Sequence, residues 1–509
     1  MNTHNLNKVL GRTWFFGFSC LMTIVLVLQG CADLDPDPLE FNRPPDSFGS
    51  LEEMERSVVG IYAQVLLASR ATTFYAPAWA GDDITTHRAL NKNEFREFDQ
   101  RVVLSSNSRL SDNFRDVLNV INTVNGVLDR SQGLIGLETI DQELLNRFIG
   151  ESLFIRALMF YHLTRIHGEI PLPLTRIPDP NISKSSILEV YTQIESDLMG
   201  AEQRLPDIYP GVLAGAPRPN KGSAKAILAR LYMDWAGFPL KDASRYTMAA
   251  SMAKDVMDNA TVHGFGLVND LEDLWTVAGR FNSESLFTSV FCASGCQGIE
   301  VANRKFVRFA YPADFSGFSE TFGEIKFFED FPEGPRKEAT YRTDLDWRSF
   351  NSQKSPVFKK LVGPIGDINP TVLFTDRNDF IMRYAEILLI YAEASGLTGN
   401  VTPEAWEALN QIRRRAAGLP FNIPDASVDI TSGDIAELAF TERKWEFAGE
   451  YLRWYDLVRR ERVAEVLSQR GNVSGSIDEH NPILGSLEPS NYFAPIPAAA
   501  VAQNPNLAN

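Results

Sequence analysis

Six side chains able to hold a ligand stand within fourteen residues, between Tyr75 and Arg88. Tyr75 and Trp79 supply aromatic faces, Asp82 and Asp83 carboxylates, and His87 and Arg88 nitrogen donors. Such rings stack on the flat C–H face of a sugar, while the polar groups reach the hydroxyls around its edge. A second set lies further on, where Trp275, Tyr311, Phe315 and Trp347 have Arg280, Asn282, Asp314, Asp346 and Arg348 as neighbours. The candidate ligand-binding residues are therefore Trp79, Asp82, Asp83, Arg88, Trp275, Tyr311 and Trp347. The alternative is that Trp79 packs inside, the charges beside it cap the next element, and the aromatic residues of the second set are core.

Catalytic constellations are thinly supplied. The chain has no Gly-x-Ser-x-Gly, no His-Glu-x-x-His and no phosphate-cradling glycine loop. His162 and His167 stand five apart, the wrong spacing for one helical face. A glycosidase needs two carboxylates flanking a cleft, and 65 acidic residues leave many pairs to choose from. The reading is binding without turnover, with no cofactor.

Elements must carry these groups to one place, and the N-terminus supplies the first constraint. Lys8 and Arg12 precede an uncharged apolar run from Trp14 to Leu28, followed by Gln29, Gly30 and Cys31. That pattern reads as a signal peptide over residues 1–30, too short for a comfortable membrane span. The cysteine directly after Gly30 resembles a bacterial lipobox, whose thiol is acylated to anchor the mature protein. Asp33, Asp35 and Asp37 follow at once, resembling the export signal of surface lipoproteins of the Bacteroidetes type. Residues 31–48 are then an acidic, proline-stiffened tether.

The whole chain carries a net charge of −16. The leader holds two bases and no acid, so its loss leaves 47 bases against 65 acids, or −18. That balance argues against nucleic acid as a partner. Beyond Cys20 and Cys31, only Cys292 and Cys296 remain. Their Cys-Ala-Ser-Gly-Cys spacing allows a small disulfide loop in an oxidising compartment, with free thiols as the alternative. A metal would need two further ligands, and no matching pair is visible.

Apolar spacing predicts helices over Ser50–Ala68, Asn107–Asp129, Asp141–His167, Ser186–Leu205, Ser223–Trp235 and Ala243–Asp258. Gly168 should cap the third of these, with Pro171 and Pro173 preventing its resumption. From 261 the texture changes. Eighteen of the next hundred residues are aromatic, against 11% overall, and helical periodicity fades. Short runs such as Ser285–Cys292 and Phe306–Tyr311 read as strands between turns. Helices return over Asp379–Ser395, from Thr402 to Gly418, and in one long helix from about Gly433 to Arg460. The fold class is mainly α: a degenerate tetratricopeptide-like scaffold of helix pairs, about 49–260 and 376–509, with an irregular, short-stranded insert over about 261–375.

Four segments together resemble the SusD/RagB family of surface nutrient-binding lipoproteins. They are Gly150-Glu151 through Arg156-Ala157 to Gly168-Glu169-Ile170-Pro171-Leu172; Arg383-Tyr384-Ala385-Glu386 with Tyr391-Ala392-Glu393-Ala394; Glu442-Arg443 through Arg453-Trp454 to Arg459; and Phe493-Ala494-Pro495-Ile496-Pro497 with Asn504-Pro505-Asn506-Leu507. In the third, Arg443 with Glu446, Glu450 with Arg453, and Asp456 with Arg459 stand three apart and are expected to pair along a helix, as is Arg383 with Glu386. Trp445 and Trp454 supply a packing face there.

The resemblance implies one domain of four helix pairs packed on a SusC-like TonB-dependent transporter of the outer membrane. It implies an irregular half bearing a groove for a glycan or, in some members, a peptide. The loop after the first helix contributes ligand contacts in starch-binding members. The protein would face the cell exterior on its lipid anchor and convert nothing. The rival reading is a helical-repeat scaffold that binds only protein.

Overall fold

Ser50 opens the first helix because its hydroxyl accepts the Glu53 N–H, satisfying a backbone donor the helix itself cannot use. The computed structural model describes residues 47–209, 218–292, 301, 303–305, 310–313, 316–350, 352–363, 375–470 and 481–508. The leader, Cys31 and all but the last two residues of the tether lie outside these. Helix α1 spans Leu51–Ser69, α2 Ser108–Ser131 and α3 Gln142–His167. Next come α4 (Ile187–Arg204), α5 (Lys221–Ala236) and α6 (Ser244–Asp258). Asn107, Asp141, Ser186 and Asn220 cap α2 to α5 with their side chains, and Gly168 ends α3 at a φ of 73°.

Each helix from α2 to α6 packs on the one before it in the chain. Helix α7 (Tyr384–Leu397) returns onto α6 and supports α8 (Pro403–Ala416) and α9 (Ile435–Glu446). Every residue of α7 from Tyr384 to Ser395 is buried, so its apolar residues need no single face. One core joins α1 to α9, from Met54 through Phe154, Leu231 and Leu388 to Phe447. The architecture is a mainly helical α-α superhelix of tetratricopeptide-like character. No helix among the described residues is long and apolar enough to cross a membrane.

Two expectations are corrected here. The helix expected from Asp379 begins only at Tyr384. Before it, Asp379–Arg383 is a strand, paired antiparallel with the strand Ser285–Ser289. The long helix expected from Gly433 to Arg460 is two, α9 and α10 (Arg453–Arg459). Residues three and four apart mimic one helix, but Gly449 at φ 77° and Tyr451 at φ 64° turn the chain between them. A Cβ at Gly449 would also approach the Phe358 ring to 2.9 Å, so this turn needs glycine.

In the insert, Ser285–Ser289 matches part of an expected strand; Phe306 to Arg308 and Phe309 lie outside the described residues. Ile84–Thr85 pairs with Phe322–Gly323, tying the loop after α1 to the insert. Cys292 is disulfide-bonded and its N–H donates to Val301 O at 3.0 Å. Cys296 lies outside the described residues.

Candidate functional site

The loop after α1 folds inward. Residues Thr72–Phe74 and Ala76–Ala80 form two 3-10 turns, which lay Trp79 against Phe95 with ring centroids 5.0 Å apart. Trp79 is 0% exposed. Asp82 accepts from Arg453 Nε on α10 at 2.7 Å, both groups buried. Asp83 accepts from the Gly449 N–H at 3.0 Å, while its carbonyl accepts from the Glu324 N–H at 3.1 Å. Burial pushes the Asp83 carboxyl up to about 7, and the Gly449 hydrogen bond only partly offsets it.

Trp79, Asp82 and Asp83 are therefore buried; the two aspartates tie the loop after α1 to the segment Gly449–Arg453, and the Asp83 carbonyl also reaches the insert at Glu324. The aromatics expected as plates in the insert are corrected in the same way. Trp275 is 7% exposed, edge-on to Phe380 and beneath Lys360 at 5.1 Å. Trp347 is 4% exposed, packed on Phe328 and covered by the Arg348 guanidinium at 4.3 Å. An indole that buries this much apolar surface stabilises the interior more than it serves the surface.

What stays open is a rim built from the loop after α1 and the insert. Arg88 is exposed, and His87 and Tyr311 are half-buried. Phe318 is 40% exposed. Hydrogen bonds bring these segments together. The Arg88 N–H donates to Gln353 Oε1 at 3.1 Å, and Gln353 Nε2 donates to Thr86 O at 3.1 Å. Glu320 receives Lys92 Nζ at 3.0 Å and also the Thr72 hydroxyl, while its backbone carbonyl accepts from the Thr86 hydroxyl. Tyr311 is steadied by Arg342, itself bound to Asp344 at 2.7 and 2.6 Å.

The chain closes on itself after Tyr311, whose carbonyl accepts the Ser319 N–H at 3.0 Å. A Cβ at Gly317 would lie 1.8 Å from that carbonyl, so only glycine fits. The structure thus brings Arg88 and Tyr311 to one rim, with Trp347 buried in the segment that also carries Gln353. Phe318, Glu320 and Gln353 were not legible in the sequence as members of this rim. Their role depends on which segments meet.

The charged residues of the family-like segments form a buried web, and most of the expected neighbour pairs are not its bonds. Asp456 and Arg459 do pair, at 2.8 Å. Arg443 instead reaches Asp456 at 3.1 Å and Glu386 at 3.3 Å, and Arg453 takes Asp82. Arg383 bonds Glu284, Glu446 and Glu450 from three directions. Burial alone would raise the Glu446 carboxyl, but Arg415, Arg383 and Arg336 hold it down to about 2. These groups lock the helices to the insert.

Residues 342–509 match the profile described as SusD family, and residues 50–233 match "Starch-binding associating with outer membrane". The chain belongs to the SusD/RagB family. Like this SusD-family chain in length, "SusD-like protein P2" of Formosa agariphila is 26% identical over 96% of this chain and 97% of its own. A SusD homologue from Bacteroides thetaiotaomicron shares the fold with a TM-score of 0.77, at 22% identity over 91% of this chain and 97% of that one. A laminarin-binding SusD-like protein shares it with a TM-score of 0.69, at 23% identity over 90% and 98%. SusD-family members are binding proteins.

Proposed function

We propose that this chain is a lipid-anchored outer-membrane protein that binds a glycan at the cell exterior and delivers it to a SusC-like TonB-dependent transporter, unchanged. The observation that carries the glycan reading is the open rim of Arg88, His87, Tyr311 and Phe318. It combines a cation, an imidazole and two partly exposed rings on a hydrogen-bonded frame, which suits a sugar's apolar face and polar edge. The starch-binding description of the matching profile and the laminarin-binding relative support that ligand class. Cys31 after its apolar leader supports the anchor.

Affinity electrophoresis across a polysaccharide panel containing starch and laminarin tests the reading. Retardation by at least one glycan is expected, with no reducing ends released on incubation. Failure of every glycan to retard the protein, or release of reducing ends, would overturn it. Cys31→Ala should yield an unlipidated, soluble protein.

The burial of Trp79, Trp275 and Trp347 favours a second reading, a scaffold that binds only protein. Tight complex formation with a transporter, together with no glycan binding, would select it.

A further inference from the structure

Of the seven tryptophans among the described residues, five are buried, and Trp406 and Trp445 keep partial exposure. Trp445 lines a surface groove between the C-terminal end of α8, one face of α9 and the segment Pro332–Arg336. We propose that this groove is a second glycan subsite, with Trp445 as its plate, taken by an uncharged polysaccharide that also occupies the Arg88–Tyr311 rim. The proposal rests on the glycan reading above and adds where a long chain continues.

The groove pairs an apolar floor with hydroxyl-binding groups. Leu438, Val428 and Ala416 line it beside Trp445, with exposed Thr441 and half-buried Arg413. The indole nitrogen makes no hydrogen bond among the described residues, and it is a donor only. Lys444 lies over the ring at 4.1 Å, Phe327 and Phe331 pack edge-on against it at 5.2 and 5.1 Å, and Trp445 keeps partial exposure as it lines the groove. The four charged residues that line the groove, Glu333, Arg336, Arg413 and Glu442, are two of each sign. Arg336 bonds Glu442 at 2.5 Å, Arg413 reaches Glu442 at 3.4 Å, and Lys337 takes Glu333 at 2.5 Å. Paired charges favour a neutral hydroxylated ligand over an anionic one.

The plate is rigid and is joined to the rim. From Trp445 the rings run to Phe331 at 5.1 Å, Tyr341 at 5.6 Å, Phe328 at 5.0 Å and Trp347 at 6.2 Å. Trp347 lies six residues before Gln353, which frames Arg88. This chain of interior rings links the groove to Trp347, in the segment that also carries Gln353. A preordered surface loses little entropy on binding. Two sites bridged by one polymer gain through effective concentration, which a short oligosaccharide cannot exploit.

The test compares polymeric laminarin and starch with their trisaccharides, using wild type, Thr441→Trp, Trp445→Phe and Arg88→Ala. Thr441→Trp fills the groove from an exposed position, and Trp445→Phe keeps most of the packing, so folding is preserved; thermal unfolding verifies this. In both groove variants the ratio of polymer to trisaccharide affinity should fall about tenfold. An unchanged ratio in Thr441→Trp would overturn the second subsite. If Arg88→Ala still weakened binding about tenfold in that case, the glycan reading would stand alone. Failure of wild type to bind any glycan would overturn both.

Discussion

Arg453 and Asp82 form a buried ion pair at 2.7 Å across 371 residues of chain. The pair joins α10, in the third family-like segment, to the loop after α1. Removing the cation strands a carboxylate in the interior, and breaking a buried pair from one side costs about 3–5 kcal/mol. Arg453→Met should lose stability on that scale in urea unfolding, and adding Asp82→Asn should recover a large part. A single variant as stable as wild type would refute the locking role.

Asp83 makes stability fall towards alkaline pH. Its carboxyl is raised to about 7 in the folded protein, against 3.8 ordinarily. Between those values the folded state holds a proton that the unfolded state has released. That contribution is fully present below about pH 4 and is lost as pH climbs through 7. Three units correspond to about 4 kcal/mol in total. Asp83→Asn should therefore flatten the decline in melting temperature between pH 5 and 8. In the opposite direction, Glu446 is held down from 4.5 to about 2, so its contribution is fully present above about pH 4.5 and is lost as pH falls towards 2. An alkaline slope identical in Asp83→Asn and wild type would exclude this carboxyl as its source.

The rim and the interior should separate cleanly under mutation. Arg88→Ala and Tyr311→Ala are expected to weaken glycan retardation about tenfold, the size of one or two lost polar contacts, with little change in melting temperature. Trp79→Ala and Trp347→Ala should instead cost about 3–5 kcal/mol of stability, as emptied aromatic sites do. Stable tryptophan variants with selectively lost binding would return the plates to those indoles.

Gly449→Ala tests the turn between α9 and α10. It combines a left-handed backbone with a Cβ 2.9 Å from Phe358, and the loss should be about 1–3 kcal/mol. Because the Gly449 N–H holds Asp83, the variant should also alter the pH slope described above. A melting curve unchanged at every pH would show that the turn relaxes freely.

The sequence alone determined the helical scaffold, because helix signals are local. Apolar spacing and the capping residues Ser50, Asn107, Asp141, Ser186 and Thr402 set element limits to within a residue or two. The linear segments around Arg156, Arg383 and Arg443 likewise pointed to the family. Tertiary structure alone decided which side chains face a ligand. Trp79, Asp82 and Trp347 sit in polar, loop-like stretches that look exposed, yet Phe95, Arg453 and Phe328 pack on them in the folded chain. Trp445 lies in a segment that reads as packing, yet it opens on a groove. Exposure follows from which distant surfaces meet, and no periodicity within one segment encodes that.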